Sequence, residues 1–89
     1  MKAVVTVVGE DRVGIIAEVC THLAAYGVNV LDISQTVMEG YFTMMMVTDV
    51  SACCVPLAQL CTEMEELGKA RGLSIRVQRE DIFEAMHRI

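Results

Sequence analysis

The segment of this chain best suited to chemistry is Gly9-Glu10-Asp11-Arg12-Val13-Gly14. Two glycines and an acid-base pair interrupt a β-branched run, Lys2 to Val8, and precede a helical pattern that opens at Ile15. A loop between a strand and a helix start gathers free backbone N–H groups at the positive end of the helix dipole, which suits a carboxylate or phosphate. The plain alternative is that Asp11 and Gly14 only cap and tighten a turn. The four cysteines, Cys20, Cys53, Cys54 and Cys61, include no C-x-x-C pair. An adjacent Cys53-Cys54 rarely holds one metal or closes a relaxed disulfide, so free thiols in a reducing compartment are expected. Met44-Met45-Met46 reads as core and interface packing, and His22, His87 and Arg88 read as surface positions. No nucleophile stands at a recognisable spacing from a base, no carboxylates are paired and no metal-ligand cluster is visible. The expectation is a chain with no catalytic residues, no metal and no cofactor.

The elements that position the loop follow from periodicity. Lys2–Val8 has the short, nearly all-apolar character of a central strand. Ile15, Ile16, Val19, Cys20 and Leu23 mark one face of a helix that runs to Tyr26 and stops at Gly27. An extended segment over 28–39 places Leu31, Ile33 and Val37 on one side and Asp32, Ser34 and Thr36 on the other. Glu39-Gly40 turns it into a second strand over 41–50. Leu57, Leu60, Cys61, Met64 and Leu67 give a second helix between Ser51 and Arg71, with Pro56 in its first turn. Leu73, Ile75 and Val77 alternate with Ser74, Arg76 and Gln78 in a last strand. Asp81 is placed to cap a short tail helix with a stripe of Ile82, Phe83, Met86 and Ile89.

This order predicts an α+β fold, a ferredoxin-like β-α-β-β-α-β sandwich with a four-stranded antiparallel sheet and two helices on one face. The tail or a second subunit must then cover the other face. The chain reads as one domain over 1–89, with its core about 3–78 and its helical tail about 81–89.

Composition narrows the partners. A formal net charge of −5, with seven Lys and Arg in no dense cluster, disfavours nucleic acid. No apolar run approaches the ~20 residues of a membrane span, and no secretory leader is visible, so a cytoplasmic protein is expected. A hydrophobic share of 54% is high for 89 residues. A domain this small buries only roughly 60–65% of its unfolded surface, which favours self-association.

Val7-Val8-Gly9-Glu10-Asp11-Arg12-Val13-Gly14-Ile15-Ile16 resembles the D-x-x-G loop of the ACT domain family. Gly27-Val28-Asn29-Val30-Leu31-Asp32-Ile33 is similar to that family's second signature. The stretches Asp32–Thr36, Gly40–Met44, Ile75–Gln78 and Asp81–Ile89 look like a group of stand-alone ACT proteins, similar to the ACT halves of the glycine cleavage system repressor. The resemblance implies side-by-side homodimers with a continuous sheet, an amino acid bound near the interface, and a separate regulated partner. Carried onto this chain, Gly9, Asp11, Arg12, Val13, Gly14 and Ile15 would line the pocket, with Asn29 and Gln35 giving amide contacts and Leu31 a wall. Asn29 can equally satisfy its own backbone at the start of a strand.

Overall fold

The computed structural model describes residues 1–10 and 13–87. Its elements run β1 (Lys2–Glu10), α1 (Ile15–Ala25), β2 (Asn29–Met38), β3 (Tyr41–Asp49), α2 (Leu57–Arg71), β4 (Ser74–Arg79) and α3 (Glu80–His87). The four strands form one antiparallel sheet in the order β2-β3-β1-β4, as the split β-α-β pattern requires.

One face of the sheet holds the core. Ala3, Val5 and Val7 of β1 pair with Thr48, Met46 and Met44 of β3, and all six are fully buried. Ile15, Val19 and Leu23 of α1 join this cluster, with Leu60 and Met64 of α2 and Ile75 and Val77 of β4. Thr48 is the polar member, and its hydroxyl donates to the Ala3 carbonyl at 2.9 Å, which satisfies it inside the apolar layer.

Several local expectations are corrected. Strand β1 runs to Glu10 rather than stopping at Val8, because Gly9 pairs with Phe42 and Glu10 with Tyr41. The side that a Cβ on Gly9 would occupy is filled by the Leu73 side chain, so the glycine serves strand packing. Helix α2 begins at Leu57, after turns over 51–55, and Pro56 is its N-cap rather than a first-turn residue. Helix α3 begins at Glu80; Asp81 lies inside its first turn, where both carboxylate oxygens accept from Arg79, at 2.6 and 3.1 Å. Of the tail stripe, Ile82 is half exposed, and Ile89 lies outside the described residues.

Strand β2 is exposed along nearly its whole length. Ile33, Gln35 and Val37 pair with Met46, Met44 and Phe42 and so share the helix side of the sheet. Asp32, Ser34, Thr36 and Met38 share the opposite face. Leu31 falls in a bulge between Val30 and Asp32, so it does not keep the alternation expected for it. Among the described residues, no helix is long and apolar enough to cross a membrane.

Candidate functional site

Gly14, with φ of +90°, is the N-cap of α1 and offers no side-chain cap. Its carbonyl accepts from Glu18 N–H at 2.9 Å, but the first-turn amides ahead of Glu18 have no such partner within the helix. Gly14 and the first turn, Ile15, Ile16 and Ala17, stand over Gln35 and Val37 of β2 and Phe42 of β3. Together they line a cleft of about 480 Å³. The pairing of Val37 with Phe42, fixed by the two-residue turn at Glu39-Gly40, sets its floor. Phe42 is buried while Val37 and Gln35 are exposed at the rim. The cleft therefore combines an electropositive helix end, one amide side chain and an apolar wall.

A second hollow of about 280 Å³ lies on the other side of Gly14, lined by Val13, Gly14, Ile15, Glu18 and Arg71. Arg71 reaches it from the last turn of α2 and donates to Glu18 at 2.6 Å. This places a cation beside the start of α1 from a residue 53 positions beyond Glu18, which no local motif could reveal.

The structure brings only part of the expected set together. Gly14, Ile15 and Gln35 line the cleft, and Val13 lines the adjoining hollow. Asp11 and Arg12 lie outside the described residues. Gly9 is within β1, one strand pair from the floor residue Phe42. Asn29 pairs with Asp49 at the opposite end of β2, six residues and about 20 Å from Gln35, so it does not line this cleft. Leu31, in its bulge, is likewise away from the cleft lining. Sequence reasoning missed Ile16, Ala17, Val37 and Phe42. The hairpin register was the available signal for the last two.

The cysteines are free thiols. The Cys61 thiol donates to the Val77 carbonyl at 3.2 Å, and burial, with the nearby Glu65 carboxylate, pushes its pKa up. Desolvation and the neighbouring Glu63 carboxylate, which accepts from the Tyr26 hydroxyl at 3.2 Å, likewise raise the Tyr26 phenol. Since the thiolate is the reactive form, iodoacetamide at neutral pH is expected to label exposed Cys54 first and Cys61 last. Peptide mass mapping over a time course checks that order. Among the described residues, no three His, Cys, Asp or Glu side chains converge as metal ligands would.

Residues 2–78 match the ACT domain family model. The chain belongs to the ACT domain family. A UPF0237 protein of Bifidobacterium longum is 53% identical over 88 residues, which covers 99% of this chain and 98% of that protein. The solved ACT domain protein of Streptococcus pneumoniae shares 45% identity, with a TM-score of 0.82 over 98% of both chains. A solved candidate glycine cleavage system transcriptional repressor is 26% identical with a TM-score of 0.73, over 88% of this chain and 44% of that one. The ACT domain is typically a regulatory module that binds a small ligand, and the cleft at α1 is the place on this ACT domain to test for one.

Proposed function

We propose that this protein is a small regulatory ACT protein that binds an amino acid, or a similar small carboxylate, in the cleft at the start of α1. The observation that carries this reading is the cleft itself, lined by Gly14 and the first turn of α1 on one side and by Gln35, Val37 and Phe42 on the other. Free amides at a helix N-terminus hold a carboxylate, and the wall takes a small side chain. The reading needs no catalytic step and places the protein in the cytoplasm, where amino-acid levels are sensed.

Pairing with a second copy belongs to the same proposal. Strand β2 is a sheet edge ten residues long, with Leu31, Ile33 and Val37 exposed along it. A long apolar edge invites strand pairing. Antiparallel pairing of two β2 edges sets the Asn29–Leu31 end of one copy beside the Gln35–Val37 end of the other. Asn29 and Leu31, distant from the cleft in their own chain, then come nearest to the cleft of the second copy. A ligand held there favours one paired state over another, which is how binding would reach a separate regulated protein.

The test is a melting screen against the twenty amino acids at millimolar concentration. A ligand at about 100 times its Kd adds about 2.7 kcal/mol, a shift of several degrees for a domain of this size. One or a few amino acids should give that shift. Ala17→Glu, which puts a carboxylate into the cleft from an exposed position, should abolish it without lowering the unliganded Tm. A flat panel would sink the ligand reading and leave the dimer as an interaction scaffold.

A further inference from the structure

The two edges of the sheet, β2 and β4, are guarded differently. The β4 edge is closed by its own chain. The Cys61 thiol of α2 holds the Val77 carbonyl at 3.2 Å. Helix α2 also passes so near the start of β4 that a Cβ on Gly68 would lie 2.6 Å from the Leu73 carbonyl oxygen. On the β2 edge the guard is one side chain: the Ile33 N–H donates to the Asp32 carboxylate at 2.9 Å. That N–H points away from β3. The two-residue turn at Glu39-Gly40 makes Met38 and Tyr41 a hydrogen-bonded pair, and alternation then makes Thr36–Thr43, Ser34–Met45 and Asp32–Val47 the others. Ile33, Gln35 and Val37 therefore turn their N–H and C=O groups outward, along the free edge. Asp32 is exposed and lies on the sheet face away from the ligand cleft, with Ser34 and Thr36.

We propose that Asp32 is a latch on the β2 edge, holding the Ile33 N–H that a second copy must take when two β2 strands join. The inference rests on the pairing of β2 edges proposed above and gives that pairing its control. An arrangement that sets the Asn29–Leu31 end of one copy beside the Gln35–Val37 end of the other is centred on Ile33. The two Ile33 residues then face each other across the two-fold axis, and each N–H is needed by the other's carbonyl. The bulge at Leu31 interrupts the ladder to either side, which leaves the join more dependent on this central pair. Both latches must therefore open before the sheets become one. The exchange is unequal, because a carboxylate is a stronger acceptor than the neutral carbonyl that replaces it. The latch thus favours the unpaired chain and blunts an edge that would otherwise join any exposed strand. A ligand that touches both copies supplies the missing free energy, so pairing follows the ligand rather than protein concentration alone.

Sedimentation velocity of the full chain without ligand, from about 10 µM to about 1 mM, covers the range in which a weakly paired edge dissociates. Asp32→Ala opens both latches and should lower the dimer Kd roughly thirtyfold, the effect of one hydrogen bond per copy. Asp32→Asn keeps an acceptor oxygen at the same reach without the charge, and should change the Kd much less. Asp32→Glu keeps the charge but carries it one carbon beyond the Ile33 N–H, and should tighten pairing as Ala does. Amide exchange at Ile33 gives a second readout: in Asp32→Ala it should slow as protein concentration rises. A Kd that Asp32→Ala leaves unchanged, or a wild type already fully paired at the lowest concentration, would overturn the latch. Equal tightening by Ala and Asn, or none by Glu, would assign the effect to charge repulsion and overturn it too. Because these measurements are made without ligand, a melting screen with no amino-acid hit would sink the ligand reading and leave their outcome standing.

Discussion

Gly27→Ala is expected to cost the fold about 3 kcal/mol and to lower Tm by more than about 10 °C. Gly27 follows α1 with φ of +80°, a conformation in which an L side chain costs roughly 1–2 kcal/mol. A Cβ there would also sit 2.6 Å from the Ala52 carbonyl oxygen, closer than real Cβ atoms approach backbone. The backbone has little room to yield. Cys54 N–H donates to the Tyr26 carbonyl at 2.9 Å, and the N–H groups of Tyr26 and Val28 both donate to Leu23. Relief of the clash must stretch the Cys54 bond, and a lost hydrogen bond adds about 1 kcal/mol. Gly40→Ala separates the two causes, because Gly40 has a similar φ of +83° and nothing within 4 Å of its Cβ position. It should lose only the conformational part, about 1–2 kcal/mol, in a urea titration of both variants. Equal losses at the two positions would remove the Ala52 contact from the explanation.

The same glycines show what the sequence could and could not reveal. Gly27 and Gly40 were legible as a helix end and a turn because punctuation by glycine is a local matter. So was the alternation of β4, where Ile75 and Val77 face the core. Gly9 was misread by the same rule. It stands inside β1 because Leu73, sixty-four residues away, needs the space, and only the fold supplies that reason. The cleft divides in a similar way. Gly14 came from the loop pattern and Ile15 from the family resemblance, and Val37 and Phe42 follow from the hairpin register once its turn is fixed. Asn29 was assigned to the same pocket by resemblance, yet β2 is ten residues long and Asn29 lies at its far end. Arg71 arrives through the packing of α2 against the rest of the sandwich, with no sequence trace. Binary patterning marks what is buried, but not which buried neighbours meet or which exposed strand lies at an edge.

Leu23→Ala should be the most damaging of the single core truncations, at about 3–5 kcal/mol. Leu23 is fully buried, and its carbonyl holds the chain as it leaves α1. Truncation removes three carbons from a tightly packed cluster, and the backbone bonds to Tyr26 and Val28 prevent the turn from collapsing into the gap. Small domains have only about 5–15 kcal/mol in total, so the variant should be close to its unfolding midpoint at moderate temperature. Leu23 is also two helical turns, about 12 Å, from Ile15 in the cleft. If the cleft is built by the first turn of α1 with β2 and β3, an amino acid that stabilises the wild type should raise the Leu23→Ala melting temperature in the same way. Loss of stability with retention of the ligand shift would separate the support of α1 from the site at its other end. Loss of both, in a variant still folded by circular dichroism, would mean that the whole helix, and not its first turn, carries the binding surface.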